Sequence, residues 1–263
     1  MARGVIPLTS NLLLPIISSI AFMRLIFLAQ NEMNSGFTSG LLPQEDDLPW
    51  LGIEGLRSAC LGMVLIDIEA PILAGGHLFT PREGARALGM GSRRLRGFTA
   101  ARVALKMLAR RLGLVEKSRP DWTIETLGPD GVSPCLAESD IYCSAAHSNR
   151  FVVAVAHRHP IGVDLERVSE KVMRTRHLFL KSTELDLISL SPLGPERTAT
   201  RVWTVKEAAA KVLRLHLFDS FREVEVVRVS EKEGVMRYRE KAYPVKHAEG
   251  NGQVITLVSG DAL

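Results

Sequence analysis

A strand, a helical segment and further strands follow one another twice along this chain, and this repetition constrains the fold more than any single motif. The first set comprises a strand at 62–69, a helical pattern at 81–114 and strands at 122–126, 141–144 and 151–156. The second set comprises a strand at 162–166, helices up to Lys211 and strands at 224–229, 236–238 and 254–258. Two similar α+β halves packed together are the economical architecture for this order. We predict halves at 51–158 and 159–263, preceded by an N-terminal extension and linker at 1–50.

The first 32 residues leave three interpretations open. An apolar run from Leu12 to Met23 follows Arg3 and contains Pro15. It is too short for a comfortable membrane span and is closer to the core of a signal peptide, but no clear cleavage site follows it. A wrongly extended start with Met33 as the next initiator, an ordered extra helix and true targeting are the alternatives.

Composition favours a globular protein that carries reduced cysteines. Hydrophobic residues make up 46% of the 263 residues, which is enough for a substantial core, and charged residues make up 24%. The formal net charge is only +4. Cys60, Cys135 and Cys143 are odd in number and lack CxxC spacing, so they suggest neither a disulfide framework nor a zinc cluster. We expect a cytoplasmic protein without a membrane span.

Two acidic residues lie on the predicted strand that follows His159-Pro160. Side chains alternate faces along a strand, so Asp164 and Glu166 project on the same side. Adjacent carboxylates repel each other unless a cation neutralises them, and a divalent ion with oxygen ligands does this well. An ordinary exposed strand end is the alternative for this short motif. The similar pair Asp67 and Glu69 has no comparable helix after it, so we do not expect a metal site there.

The helix near residue 205 can bring further charged groups to the same place. Trp203, Glu207 and Lys211 recur every four residues and therefore share one helix face. Taken alone, Glu207 and Lys211 could be only a helix ion pair, and Trp203 could be part of the core. His147 lies in a predicted turn, where a structural role is also open.

The region from Arg82 to Arg119 is strongly basic. It contains eleven Lys or Arg residues and two Glu residues, and Phe98, Ala101, Leu105, Leu108 and Leu112 form its apolar stripe. A solvated helix face is one explanation, and an anionic partner is another. No aromatic residues alternate with the basic ones and no nucleic-acid module is recognisable, so a phosphorylated small molecule or an acidic protein fits as well as nucleic acid.

Taken in order, these segments resemble the 4'-phosphopantetheinyl transferase superfamily. The resemblance rests on the His-Ser turn at 147–148, Ile-Gly-Val-Asp-Leu-Glu at 161–166 and Trp-Thr-Val-Lys-Glu-Ala-Ala-Ala-Lys at 203–211. It covers about residues 60–258. The length and doubled layout are similar to the monomeric, pseudo-dimeric branch, whose active site lies between the two halves. That branch activates carrier proteins of fatty acid, polyketide and nonribosomal peptide synthesis.

The resemblance implies roles for specific residues. Asp164, Glu166 and Glu207 would bind Mg²⁺, and Glu207 would also take the proton of the attacking serine. Lys211 would lie against the pyrophosphate of coenzyme A. His147, Lys206, Arg102 and, in a supporting role, Arg96 would contact coenzyme A. Three positions depart from the family pattern: Ala101 replaces a glycine, Ala146 replaces a serine, and Arg214 stands where glycine is common.

The implied activity is Mg²⁺-dependent transfer of 4'-phosphopantetheine from coenzyme A to a serine of an apo acyl or peptidyl carrier protein, with release of 3',5'-ADP. We expect a monomer that does not bind nucleic acid. Two alternatives remain open. One is a metal-dependent phosphohydrolase of coenzyme A-like substrates, and the other is a basic binding module centred on Arg82 to Arg119.

Overall fold

Two antiparallel sheets and two long helices dominate the structure, a computed structural model that describes residues 50–68, 77–136 and 139–261. The interpretations of the apolar N-terminal run lie outside these residues, and so does Glu69. The mixed composition of helices and antiparallel strands confirms the α+β class.

The described part of the chain contains seven α-helices and eight strands. The helices are α1 (Ile53–Ser58), α2 (Pro81–Ala87), α3 (Ser92–Arg111), α4 (Glu170–Arg174), α5 (Leu185–Leu190), α6 (Pro195–Leu213) and α7 (Leu217–Glu223). The strands are β1 (Gly62–Asp67), β2 (Tyr142–His147), β3 (Phe151–His157), β4 (Ile161–Arg167), β5 (Val224–Val229), β6 (Glu233–Tyr238), β7 (Lys241–Gly250) and β8 (Gln253–Ser259). Short 3₁₀ turns cover Asp121–Thr123, Arg176–Leu178 and Ser182–Glu184.

The strands form a three-stranded sheet in the order β1-β3-β2 and a five-stranded sheet in the order β4-β8-β7-β6-β5. Alternation along the strands divides the apolar side chains between two layers. On β3, Val152, Ala154 and Ala156 pack against α3, whereas Phe151, Val153 and Val155 join residues of the other sheet. Helix α6 packs on the outer face of the five-stranded sheet. The resulting order of layers is helix, sheet, sheet, helix.

Glycine allows each long helix to approach the first strand of its sheet closely. A Cβ atom at Gly162 on β4 would lie 2.0 Å from the Ala208 carbonyl oxygen of α6. At Gly62 on β1, the corresponding atom would lie 3.0 Å from side-chain carbons of Leu108 on α3 and of Leu112, which follows the last residue of α3. The α6 contact is therefore with rigid backbone, while the α3 contact is with side chains that can move.

The structure differs from the sequence predictions in four places. The helical pattern at 81–114 is interrupted after Ala87 and resumes at Ser92, because Gly89 adopts a positive φ. The strand expected at 122–126 is replaced by the 3₁₀ turn at 121–123. His147 is the last residue of β2 and pairs with Val152 rather than lying in the bend. Strand β7 was not predicted, and it contains Pro244, a residue that is unusual in an interior strand.

A buried chain of polar side chains connects α6 to the five-stranded sheet. The hydroxyls of Thr204 and Thr256 are 2.6 Å apart, and Thr256 lies 2.9 Å from Nδ1 of His247. His247 is 1% exposed, and its Nε2 atom is buried without a hydrogen-bond partner. Burial, and secondarily the positive charge of Arg201, lower the pKa of His247 to about 3. The folded protein therefore holds this ring neutral.

This neutral ring should make the fold sensitive to acid. In the unfolded chain, the His247 imidazole takes up a proton below its ordinary pKa of about 6.5, whereas in the folded protein it stays neutral down to about pH 3. The free energy of unfolding therefore decreases as the pH falls from about 6.5 towards about 3. At about pH 5, the contribution of His247 to the free energy of unfolding should be about 2 kcal/mol lower than at neutral pH. Denaturant titrations of the protein and of His247→Gln at both pH values test this. An equal loss in the two proteins would contradict it.

The two glycine contacts should respond differently to a methyl group. Gly162→Ala should lower the free energy of unfolding by about 3 kcal/mol or more, because the Ala208 carbonyl cannot move without shifting α6. Gly62→Ala should cost about 1 kcal/mol, because Leu108 and Leu112 can adjust their rotamers. Chemical denaturation of both variants measures the difference. Equal costs would show that α6 and β4 can separate freely.

Candidate active site

A cleft of about 590 Å³ lies where elements of the two sheets and both long helices meet. This volume is within the usual range for small-molecule sites. The start of α3 and the end of β2 form one side, and the end of β4, α4 and Trp203 of α6 form the other. The lining of the cleft includes Arg93, Arg96, Gly97, His147, Glu166, Arg167 and Lys171.

Three carboxylates and one ammonium form a group at the end of β4. The Nζ atom of Lys211 lies 3.0 Å from Oδ1 of Asp164 and donates to the Val163 carbonyl at 2.7 Å. Asp164 is 4% exposed, and its Oδ2 atom is buried without a hydrogen-bond partner. Lys211 therefore satisfies only one of the two Asp164 oxygens.

The surroundings of Glu166 and Glu207 destabilise the charged forms of these two carboxylates. Burial, followed by repulsion from Asp164, raises the pKa of Glu166 to about 7. The same two causes, in the same order, raise the pKa of Glu207 to about 8, with a smaller contribution from Glu166. Charges shift a pKa in this way only over short distances, so α6 and β4 place the three carboxylates close together. Glu166 connects this group to the cleft, which it lines.

The opposite side of the cleft is basic. Arg93 and Arg96 belong to the first turns of α3, and the guanidinium of Arg93 donates to the Asn149 side chain at 2.9 Å. The His147 ring is exposed at the cleft surface and packs on α3 at Gly97, where an added Cβ would lie 2.7 Å from ring atoms. Partial burial, followed by the positive charge of Lys211, lowers the pKa of His147. The ring therefore lies between the basic side and the carboxylate group.

Two residues expected at the coenzyme are placed elsewhere. Arg102 is 5% exposed, stacks on the Phe98 ring and donates to the Thr126 carbonyl at 2.6 Å. Lys206 is 0% exposed, and its ammonium bonds the Glu184 carboxylate at 2.7 Å. Neither residue lines the cleft, whereas Arg96 and His147 do.

The three departures from the family pattern lie at defined places. Ala146 points into the apolar cluster between the sheets, so a hydroxyl there would not face the cleft. Ala101 belongs to the core between α3 and its sheet. Arg214 ends α6 with φ 54° and ψ 42°, a left-handed conformation that favours glycine. The backbone at position 214 therefore adopts the conformation that glycine favours, although the residue is arginine.

Sequence reasoning did not single out several residues of the cleft. Arg93, Arg167 and Lys171 line it and make its walls more basic. Arg93 belonged to the recognised basic run, but a charge run does not indicate which side chains face a ligand. Arg167 directly follows Glu166, and Lys171 lies on a five-residue helix, too short for a periodic signal.

The carboxylate group has the donor chemistry of a divalent cation site that a substrate completes. Among residues 50–68, 77–136 and 139–261, no three His, Cys, Asp or Glu side chains come together closely enough to hold a metal ion by themselves. Mg²⁺ does not require such a cage, because it commonly binds one or two carboxylates, water and substrate phosphate. The unpartnered Oδ2 of Asp164 and the mutual repulsion of the carboxylates fit an added cation. The residues present therefore fit Mg²⁺.

No helix within the described ranges is both long enough and apolar enough to cross a membrane.

Comparison with known proteins gives two matches. Residues 160–258 match the model of the ACPS family, the 4'-phosphopantetheinyl transferase superfamily. The chain is also 31% identical over 79 residues to a protein of Aneurinibacillus migulanus named 4'-phosphopantetheinyl transferase gsp; the match covers 30% of this chain and 33% of that protein. The chain thus aligns with about a third of that relative's length.

The family match includes β4 and α6, which carry Asp164, Glu166, Glu207 and Lys211, whereas α3 and His147 precede the matched residues. Over residues 160–258, this chain is therefore similar to members of the 4'-phosphopantetheinyl transferase superfamily.

Proposed function

We propose that the protein is a Mg²⁺-dependent 4'-phosphopantetheinyl transferase. It moves phosphopantetheine from coenzyme A to a serine of an apo acyl or peptidyl carrier protein and releases 3',5'-ADP. The observation that carries this proposal is the buried carboxylate group beside Lys211, which lies within the residues that match the family. A monomer in the cytoplasm is part of the proposal, and Cys60, Cys135 and Cys143 are all free thiols, which suits a reducing compartment.

The charge distribution suits a substrate with a pyrophosphate group. Arg93 and Arg96 give the side of the cleft formed by α3 a positive charge that attracts phosphate oxygens. We assign the coenzyme phosphate contacts to these two residues and to His147 rather than to Arg102, because Arg102 is bonded to Thr126. Lys211 lies on the other side and can offset the charge that develops on the leaving group.

The chemical step needs a proton acceptor. The serine hydroxyl forms a new bond to the phosphorus of the phosphopantetheine arm while the P–O bond to 3',5'-ADP breaks. A serine hydroxyl at its ordinary pKa is a poor nucleophile, and we assign its proton to the Glu207 carboxylate. Mg²⁺ held by Asp164, Glu166 and Glu207 would neutralise the pyrophosphate and act as a Lewis acid.

The two halves are proposed to be duplicates packed as a pseudo-dimer, with the active site between them. Equivalent contacts recur in each half. Arg111 on α3 donates to the Met63 carbonyl of β1 at 2.7 Å, and Lys211 on α6 donates to the Val163 carbonyl of β4 at the same distance. Apolar Val64 and Ile66 of β1 then correspond to Asp164 and Glu166 of β4. Only β4 has carboxylates at these two positions, so we propose one site for the two halves.

Purified protein with coenzyme A and Mg²⁺ should add the mass of phosphopantetheine to an apo carrier protein. Glu207→Gln should lower kcat by about 10² to 10⁴-fold, because the amide cannot accept the proton. Glu196→Gln is the matched control, since Glu196 lies exposed in the first turn of the same helix. Intact-protein mass spectrometry measures the transfer.

Absence of a mass increase on a panel of carrier proteins would contradict the transferase. Release of 3',5'-ADP from coenzyme A without carrier protein would instead support the phosphohydrolase. Full activity in Glu207→Gln would show that another group accepts the proton.

The contact between Gly97 and His147 allows a test of whether the basic side of the cleft binds the coenzyme phosphates. Gly97→Ala should raise the Kd of 3',5'-ADP by about tenfold, because the new methyl group displaces the His147 ring. In a His147→Ala background the same change should have no effect, since the atoms that clash are gone. Gly84→Ala is the control, because a Cβ at this helical glycine meets nothing within 4 Å. Isothermal titration calorimetry measures each Kd, and equal losses in both backgrounds would contradict the contact.

A further inference from the structure

Lys206 precedes Glu207 on α6 and is held by groups that do not line the cleft. Its Nζ atom bonds the Glu184 carboxylate at 2.7 Å, the Phe179 carbonyl at 2.6 Å and the Phe221 carbonyl at 3.4 Å. Glu184 is 0% exposed as well. Burial lowers the pKa of Lys206, and the charge of Glu184 opposes that shift. All three bonds of this ammonium are internal to the protein.

Glu184 is itself held from two further directions. Its Oε2 atom accepts the Lys181 amide at 2.8 Å, and its Oε1 atom accepts the Val226 amide of β5 at 2.7 Å. Lys206 is therefore attached to the edge strand of the sheet and to the 3₁₀ turn at 182–184. An ion pair buried in this way allows little displacement, since a shifted charge would lose bonds that water cannot replace.

The attachment of Lys206 determines where its neighbour points. Successive side chains on an α-helix are about 100° apart, so a fixed direction for Lys206 also fixes the direction of Glu207. That direction brings Glu207 to Asp164 and Glu166 on β4. A rotation of α6 would move Glu207 away from Asp164 and Glu166.

The described residues of the first half contain a similar buried lysine–glutamate pair, but there the helix does not face a group of carboxylates such as that of Asp164 and Glu166. Lys106 on α3 bonds Glu83 at 2.6 Å, and both side chains are buried. Lys106 also bonds the Leu78 carbonyl, and Glu83 accepts the amides of Thr80 and Thr126. The residue after Lys106 is Met107, where the second half has Glu207.

We propose that Lys206 and Glu184 are positioning residues that fix the rotation of α6, so that Glu207 faces Asp164 and Glu166, and that Lys206 does not contact the coenzyme. The assignment of a transfer step to Glu207 rests on the proposed function. The placement of the carboxylates does not, and binding of a metal ion alone can measure it.

The test compares Lys206→Met with Lys106→Met, since each removes one charge from an equivalent buried pair. The probes are Mn²⁺ alone, followed by electron paramagnetic resonance, and 3',5'-ADP, followed by calorimetry. Lys206→Met should weaken Mn²⁺ binding and lower kcat by about 10 to 100-fold each, while the Kd of 3',5'-ADP stays unchanged. Lys106→Met should leave Mn²⁺ affinity and kcat unchanged, although both variants lose stability.

Three results would overturn the proposal. A raised Kd for 3',5'-ADP in Lys206→Met, with unchanged Mn²⁺ affinity, would make Lys206 a coenzyme contact. Equal losses in both variants would show general destabilisation, and no loss in either would show that α6 holds its rotation without the pair. Failure of the unaltered protein to transfer phosphopantetheine would contradict the proposed function, while the Mn²⁺ comparison would still test the positioning role.

If Lys206→Met does not fold, Glu184→Gln and Glu83→Gln replace the pair of variants, because each keeps the shape of the side chain. Glu184→Gln should weaken Mn²⁺ binding and lower kcat, whereas Glu83→Gln should change neither. Hydrogen exchange of residues 203–211 gives a readout that needs neither metal nor coenzyme, and it should be faster in Glu184→Gln. Unchanged exchange there would also overturn the proposal.

Discussion

The close packing of α6 on β4 is the contact on which the candidate site depends. Gly162 lets the strand lie against the Ala208 carbonyl, so a backbone-to-backbone contact sets the separation of the two elements. The carboxylates that follow on β4 then reach Glu207 and Lys211 on the helix. Their shared burial raises the pKa values of Glu166 and Glu207 above the ordinary range. A bound cation would favour the charged carboxylates and would therefore lower these pKa values.

In the proposed pseudo-dimer, the first half of the chain has a similar strand-to-helix contact with different side chains. Gly62 and Arg111 support the contact between β1 and α3, but β1 has Val64 and Ile66 where β4 has Asp164 and Glu166. This half instead contributes basic residues and the His147 ring to the cleft. The matched family residues cover only the second half, so the contribution of α3 rests on geometry.

Much of this organisation is predictable from the sequence, and the misses have physical causes. Alternation along 162–166 places Asp164 and Glu166 on one face, and spacing in the following helix places Glu207 with Lys211. The resemblance implied coenzyme contacts for Lys206 and Arg102, but a motif match does not indicate which way a side chain points, and both are buried away from the cleft. His-Leu-Phe at 77–79 recurs at 177–179, each time shortly before the glutamate that pairs with a helix lysine, and this repeat is a sequence signal for the proposed duplication.

The central claim is that both halves hold one substrate between them. A crystal structure of the protein with coenzyme A and Mg²⁺ tests it most directly. The account predicts phosphate oxygens within hydrogen-bond distance of Arg93 or Arg96 on one side and of Lys211 on the other, with Lys206 still bonded to Glu184. Coenzyme A bound to one half alone, or away from the carboxylates, would contradict it.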